Sequence, residues 1–146
     1  MQTLIRKSLI ILFVLFISPV ILLGQIQDQL KWEELPPLPD KEGFAGMFAG
    51  ISNDALLCIG GANFPDKMPW EGGMKKWYDR IYVLEKNSSS WKVADEKLVN
   101  PLGYGVSVTY KDKIILVGGS NDKLHYSNVY TLYYQGGKVK IDSLVS

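Results

Sequence analysis

Polar groups carried on aromatic or long side chains are concentrated between residues 62 and 80, just after a double glycine. The candidates there are Asn63, Lys76, Trp77, Tyr78 and Arg80. Aromatic faces and fixed hydrogen-bonding groups together suit a sugar ring. Arg can hold an anionic group through two parallel hydrogen bonds, and Lys can hold one as a point charge. We therefore predict that these five residues contact a bound ligand.

Each of these residues also has a purely structural interpretation. Arg80 precedes an apolar strand and can be a solvated charge at its start, and Lys76 can simply face solvent. Trp77 and Tyr78 can pack their segment onto the strands beneath. His125, in the corresponding segment of a second unit, is a sixth candidate contact because histidine titrates near neutral pH.

The cysteine and histidine content argues against a metal centre. The chain has one cysteine, Cys58, and one histidine. Cys58 lies in an apolar run and is expected to pack as a small buried side chain, and a single cysteine cannot form an internal disulfide. One cysteine and one histidine do not make a structural zinc site, and a copper enzyme needs several such ligands. We expect no metal and no cofactor.

Two segments are copies of one unit at a constant offset of 58 residues, so that Gly46 corresponds to Tyr104 and Gly60 to Gly118. The matched apolar runs are Leu56-Leu57-Cys58-Ile59-Gly60-Gly61 and Ile114-Ile115-Leu116-Val117-Gly118-Gly119. A fixed period of this kind indicates a repeat architecture, in which one unit cannot bury its apolar face alone.

The pattern predicts four short strands in each unit. The ranges are 43–51, 55–59, 81–84 and 91–94 in the first, and 103–110, 114–117, 129–134 and 139–141 in the second. A short strand is also predicted over residues 32–35, and no regular structure over 62–78. Tandem four-stranded antiparallel units predict an all-β fold of two β-propeller blades. A β-sandwich is the alternative.

Residues 1–24 have the pattern of a secretory signal peptide, with Arg6 and Lys7, an apolar run over 9–23, and Gly24 before Gln25. The run has 15 residues, fewer than the ~20 that span a bilayer, and an uncleaved anchor is the alternative. We predict a periplasmic or secreted protein. Cleavage removes Arg6 and Lys7 and takes the formal net charge from +1 to −1. The cleaved chain therefore has no excess of positive charge with which to bind nucleic acid or a membrane surface.

After the signal peptide the predicted organisation has three parts. Residues 25–42 form a leader and a strand that closes a neighbouring blade, residues 43–95 form the first blade, and residues 101–146 form the second.

The repeat resembles kelch blades, in which an apolar strand ends in Gly-Gly and is followed by an aromatic residue and a later Trp. The first unit has Gly60-Gly61, Tyr82 and Trp91, and the second has Gly118-Gly119 and Tyr130 without the Trp. Three stretches resemble the N-acetylneuraminate epimerases and their cyclically permuted relatives, the sialic acid mutarotases. These are residues 32–50 with Leu35-Pro36-Pro37-Leu38-Pro39, residues 60–84 with Asn63-Phe64-Pro65 and Trp77-Tyr78-Asp79, and residues 101–108 with Gly118-Gly119-Ser120.

The resemblance implies a kelch-type β-propeller and an isomerase that interconverts the anomers of N-acetylneuraminate by acid/base ring opening. It also implies a sialic acid-like sugar as ligand. Such relatives are closed propellers of about six blades, and their acid/base glutamate lies in a later blade, so the catalytic residues of this chain stay unassigned. We therefore expect an N-terminal fragment, a frameshifted gene product or half of a split protein. We expect it to self-associate or to pair with the missing blades. The alternative is a non-catalytic kelch module that binds glycan or protein.

Overall fold

A computed structural model describes residues 32–145 of the chain. The chain divides into two compact units, Met1–Glu34 and Leu35–Ser146. Residues 32–34 of the first have no regular secondary structure, and the strands described below all belong to the second. The predicted signal peptide lies outside the described residues. Within residues 32–145, no helix has the length and apolar character needed to cross a membrane.

Ten strands and one short 3-10 turn, Pro69–Glu71, make up the regular structure of the described residues. The strands are β1 (Phe48–Ser52), β2 (Ala55–Ile59), β3 (Ala62–Asn63), β4 (Lys76–Trp77), β5 (Ile81–Glu85), β6 (Lys92–Val93), β7 (Val106–Tyr110), β8 (Lys113–Val117), β9 (Val129–Gln135) and β10 (Lys138–Val145).

Eight of these strands form two antiparallel four-stranded sheets, here named blade 1 and blade 2. Blade 1 has the order β1-β2-β5-β6, and blade 2 has the order β7-β8-β9-β10. Their registers repeat with the sequence: Phe48 pairs with Ile59 in blade 1, and Val106 pairs with Val117 in blade 2. Strands β3 and β4 form a separate two-stranded ribbon between β2 and β5 in the chain.

The hairpin turns are set by residues that accept a left-handed backbone. Asn53 and Asp54 have φ of 45° and 59°, and Lys111 and Asp112, at the equivalent turn, have φ of 48° and 56°. Positive φ at both central residues is the type I′ turn, whose twist matches that of the flanking strands. The two blades therefore turn in the same way at the same place in the repeat.

The hydrophobic core lies between the two blades. Burial alternates along β2, where Ala55, Leu57 and Ile59 are fully buried, as expected when one face of a strand packs inward. The buried cluster contains Phe48, Leu57, Ile59, Ile81 and Val83 from blade 1 and Ile114, Leu116, Leu132, Tyr134 and Val139 from blade 2. Each blade thus covers an apolar face that the other could not bury alone.

Hydrogen bonds around Tyr134 join the blades at one end of the core. The Tyr134 amide donates to Ser52 Oγ at 2.9 Å, and Asn53 Nδ2 donates to the Tyr134 carbonyl oxygen at 2.6 Å. The Tyr134 hydroxyl donates to the Glu85 carboxylate, which also accepts from Lys92 Nζ at 2.7 Å. The bond to Glu85, with burial, raises the pKa of Tyr134 to about 12. The bonds from Lys92 and Tyr134 lower the pKa of Glu85.

Some predicted element boundaries differ from the structure. The short strand predicted over residues 32–35 is wrong, since these residues have no regular structure. Pro36 and Pro37 lack a backbone N–H, and the segment is held instead by Trp91 Nε1, which donates to the Pro36 carbonyl oxygen at 2.7 Å. Residues 62–78, predicted to be irregular, contain β3, β4 and the 3-10 turn.

Candidate functional site

An open cleft of about 320 Å³ lies where the chain enters β1 and leaves β2. Residues from three segments line it: the run before β1, the segment after the double glycine Gly60-Gly61, and Tyr104 just before β7. The lining residues are Glu42, Gly43, Phe44, Ala45, Ala62, Asn63, Phe64, Met68, Lys75 and Tyr104. Aromatic rings, one carboxylate and one ammonium group therefore share this cleft.

Lys75 is held in the cleft by aromatic rings. Its Nζ lies 4.2 Å from the centroid of the Tyr104 ring and 5.2 Å from that of Trp77. A cation over a ring face is attracted by the ring's negative quadrupole, which holds the ammonium group in place without using its N–H donors. Tyr104 precedes β7 of blade 2, and Lys75 lies in the segment between β2 and β5 of blade 1, so this contact joins the two blades.

Tyr104 has a strained backbone. Its φ is 59°, and Gly46, the equivalent residue of the first unit, has φ of 65°. The Tyr104 amide donates to the Gly46 carbonyl oxygen at 2.8 Å, and a Cβ on Gly46 would lie 2.7 Å from the Tyr104 ring. The left-handed conformation costs a residue with a side chain about 1–2 kcal/mol. The left-handed backbone conformation therefore occurs at this position in both units. The first unit has a glycine there, and the second unit has Tyr104, which lines the cleft.

Asn63, which lines the cleft, forms a hydrogen-bonded pair with Tyr78. The Tyr78 hydroxyl donates to Asn63 Oδ1 at 2.8 Å, and Asn63 Nδ2 donates to the Gly43 carbonyl oxygen at 2.8 Å and to Asp40 Oδ1 at 3.1 Å. Burial and the charge of Asp40 raise the pKa of Tyr78. The Tyr78 ring meets that of Phe44 edge to face, with centroids 5.0 Å apart. The polar atoms of Asn63 are thus occupied within the protein.

The same pair recurs in the second unit. Asn121, which is 58 residues after Asn63, donates from Nδ2 to the Tyr126 hydroxyl at 2.9 Å and to the Pro101 carbonyl oxygen at 3.2 Å. Tyr126 donates its amide to Gly119, as Tyr78 does to Gly61. A contact that both blades repeat is explained by blade construction, so Asn63 and Tyr78 fix the loop that carries the cleft.

The other predicted contacts lie in different places. Trp77 is half-buried beside Lys75, and its buried Nε1 has no hydrogen-bond partner among the described residues. Lys76 is exposed, with Nζ 5.2 Å from the Tyr78 ring centroid. Arg80 and His125 are exposed and are not among the residues that line the cleft. The structure therefore brings Asn63, Trp77 and Tyr78 to or beside the cleft and leaves Arg80 and His125 outside its lining.

Sequence reasoning missed Lys75, Tyr104 and Glu42. Nothing in the sequence separated Lys75 from Lys76, its neighbour. Tyr104 could have been singled out, because it stands where the first unit has Gly46.

Residues 32–145 contain no cluster of three or more His, Cys, Asp or Glu side chains arranged to hold a metal ion. Burial raises the pKa of the Cys58 thiol.

Comparisons with known proteins identify the family. Residues 18–141 match the family model NANM: N-acetylneuraminate epimerase. The N-acetylneuraminate epimerase of Yersinia enterocolitica is 42% identical over 132 residues, covering 78% of this chain and 32% of that protein. The enzyme of the same name from Salmonella arizonae is 40% identical over 131 residues, covering 79% and 33%. The chain thus spans about a third of the length of these curated relatives.

The fold is also matched among solved structures. The structure of YjhT superimposes with a TM-score of 0.68 and 26% identity, covering 80% of this chain and 36% of YjhT. The predicted fold class, all-β with kelch-type propeller blades, is confirmed, and the sandwich alternative is set aside. The resemblance seen in the sequence is confirmed as well: this chain belongs to the N-acetylneuraminate epimerase family.

Proposed function

We propose that this chain binds a sialic acid-like sugar in the cleft and takes part in interconverting its anomers. The observation that carries the proposal is the cleft itself, which combines Phe44, Phe64 and Tyr104 with Lys75 and Glu42 in a member of this family. Pockets that fix a small ligand are lined mainly by apolar and aromatic groups, with a few polar groups that set orientation.

Exchange of anomers requires two proton transfers. A base removes the proton of the anomeric hydroxyl while an acid protonates the ring oxygen, the ring opens, and the two roles reverse on closure. Such help contributes on the order of 10² to 10⁴ in rate. Glu42 is the carboxylate among the residues lining this cleft, so we propose it as the group of this chain that exchanges a proton with the sugar.

The test uses a freshly prepared solution of one anomer of N-acetylneuraminate, followed by proton NMR as it equilibrates. Addition of the purified chain is expected to speed equilibration above the rate in buffer and above the rate with heat-denatured protein. Glu42→Gln is expected to remove most of the acceleration, whereas Glu33→Gln, outside the cleft lining, is expected to retain it. Failure of the chain to accelerate the exchange would remove the catalytic part of the proposal.

A second candidate function is a kelch module that binds glycan without turning it over. It is favoured by the hydrogen bonding of Asn63 and Tyr78, whose polar atoms already serve the blade. The same NMR samples separate the two functions. Broadened or shifted sugar signals without faster exchange would indicate binding alone, and unchanged signals with unchanged exchange would reject both.

We also propose that the protein is exported, to the periplasm or beyond. The support is the pattern of residues 1–24, with basic Arg6 and Lys7 ahead of an apolar run. Intact mass measurement of the protein recovered outside the cytoplasm is expected to show an N-terminus at Gln25. Recovery of the uncleaved chain in the cytoplasm would reject export.

A further inference from the structure

We infer that Lys75 and Tyr104 form a subsite that recognises the carboxylate of a sugar acid. The inference rests on the proposed function, since it assumes that the cleft receives a sugar, and it names the group of that sugar which this end of the cleft selects. It assigns the selection to a lysine and a tyrosine that the sequence alone did not single out.

The surroundings of Lys75 distinguish it from the other lysines. Every other lysine in the described part of the chain is exposed, whereas Lys75 is half-buried. Some of these exposed lysines pair with acids, as Lys86 does with Asp54 at 3.0 Å, and others, such as Lys76, lie near a single aromatic ring. Within residues 32–145 no carboxylate lies within ion-pair distance of Lys75, whose neighbours are the rings of Tyr104 and Trp77.

Held in this way, the ammonium group keeps its capacity for an anion. An ammonium has three N–H donors, and a ring face satisfies the charge without accepting three hydrogen bonds. Glu42 lines the same cleft, but the partner of its Oε1 is Lys41 Nζ at 3.4 Å. The ammonium group of Lys75 is partly desolvated and has no acidic partner among the described residues. A ligand carboxylate would pair with it, whereas a neutral sugar would leave it unpaired.

The backbone of Tyr104 supports the same assignment. Strain of this kind persists where the surroundings enforce it, and it concentrates at functional sites. The first unit meets the same backbone with Gly46, so the repeat itself does not need a side chain there. What tyrosine adds is its ring, which lies 4.2 Å from Lys75 Nζ and lines the cleft. The ring positions Lys75, and Lys75 contacts the carboxylate.

Calorimetric titration of the full chain tests this with three probes: N-acetylneuraminate, its neutral methyl ester, and glucuronate, a sugar acid of another type. The wild type is expected to prefer the acid to the ester by about tenfold or more. Lys75→Met keeps an apolar stem and is expected to remove that preference. Lys76→Met, a change to the exposed neighbour, is expected to keep it.

Tyr104→Gly supplies a second variant whose backbone suits the left-handed conformation, so that loss of folding is not the expected result. It is expected to weaken binding of the acid more than that of the ester. Thermal melts confirm that each variant is folded before titration. Retention of the acid preference in folded Lys75→Met, or its loss in Lys76→Met, would overturn the subsite.

The three probes also separate this inference from the proposed function. Equal binding of N-acetylneuraminate and its ester by the wild type would leave the proposed function standing and reject the carboxylate subsite. Lys75-dependent binding of glucuronate without binding of N-acetylneuraminate would support the subsite and reject the proposed sugar. Binding of none of the three would reject both.

Discussion

Ala49 and Ser107 occupy equivalent positions in the two blades and are hydrogen-bonded to each other. The Ala49 amide donates to Ser107 Oγ at 3.1 Å, and Ser107 Oγ donates to the Ala49 carbonyl oxygen at 2.8 Å. The next pair repeats the contact, since the Ile51 amide donates to Thr109 Oγ1 at 3.0 Å. The edge strands β1 and β7 thus lie side by side, and hydroxyl groups of β7 satisfy the backbone of β1 on the side where no other described strand pairs with it.

Ser107→Ala is expected to destabilise the protein. The substitution removes both bonds to Ala49, and a typical hydrogen bond contributes about 1 kcal/mol net, so we expect the free energy of unfolding to fall by about 1–2 kcal/mol. Ser127, exposed and without a hydrogen bond among the described residues, gives the matched control Ser127→Ala, expected within about 0.5 kcal/mol of wild type. Urea denaturation measures both. Equal stability of the two variants would show that these inter-blade bonds contribute nothing.

Gly43 and Gly60 separate backbone strain from steric overlap. Their φ values are 66° and 65°, but a Cβ on Gly43 would meet no atom within 4 Å, whereas one on Gly60 would overlap the Leu102 carbonyl oxygen. Gly43→Ala is expected to cost about 1 kcal/mol from strain alone. Gly60→Ala is expected to cost about 3 kcal/mol, because overlap adds to the same strain. Urea melts of the two variants compare them directly, and equal losses would contradict close packing at Gly60.

The fold could be predicted from sequence because the same turn and strand-end residues occur in both units of the repeat. Turn residues such as Asn53-Asp54 and the double glycine Gly60-Gly61 are local signals, and their recurrence 58 residues later gives independent support. Strand ends were less certain: β1 begins at Phe48 rather than residue 43, and β10 runs over Lys138–Val145 rather than 139–141. Where a strand ends depends on how far its neighbouring strand pairs with it. The residue pattern within one strand does not reveal the extent of that pairing.

The site was less predictable for physical reasons. Lys75 and Lys76 are adjacent, and β4 has only two residues, too few for an alternating pattern to assign a face. The contact between Lys75 and Tyr104 joins two blades, so it depends on how the blades pack. Asn63 and Tyr78 were predicted as ligand contacts because an amide and a phenol can hydrogen-bond a sugar. In the structure these two groups hydrogen-bond each other within the blade.

The link between Tyr134 and Glu85 predicts a loss of stability at high pH. The folded-state pKa of Tyr134 is raised from 10.0 to about 12, so folding favours its protonated form. This contribution is fully present below pH 10 and is lost as the pH rises from 10 to about 12. The lowered pKa of Glu85 has the opposite sense: its contribution is present above the ordinary value of 4.5 and is lost as the pH falls below it.

Tyr134→Phe is expected to remove the alkaline arm of the pH profile of the melting temperature, because it removes the hydroxyl that bonds Glu85. The acid arm is expected to weaken only in part, because Lys92 still bonds the Glu85 carboxylate. Tyr133→Phe, on the neighbouring residue whose ring lies near Lys113 and Lys140, is expected to keep the wild-type profile. Melting temperatures measured from pH 3 to 12 test this. Wild-type loss of stability above pH 10 that persists unchanged in Tyr134→Phe would assign the alkaline transition to other groups.

The outer face of blade 2 predicts self-association. In blade 1, Phe48 and Ser52 are 1% and 0% exposed beneath blade 2, whereas their equivalents Val106 and Tyr110 are 61% and 57% exposed. The repeat therefore presents on blade 2 the face that blade 1 buries, and Val108 lies between these two residues, 53% exposed. Contiguous apolar surface of this kind marks an interaction site, and we expect a second copy of the chain to cover it.

Sedimentation velocity over a range of concentrations measures this association. Val108→Lys places a charge in the centre of the face and is expected to weaken self-association by about tenfold or more, since burying an unpaired charge is costly. Val99→Lys, at a valine that is 78% exposed and outside that face, is expected to behave as wild type. A wild-type chain that sediments as one monomeric species at every concentration, or a Val99→Lys variant that dissociates equally, would contradict an interface on blade 2, because the charge would then act through solubility rather than through this face.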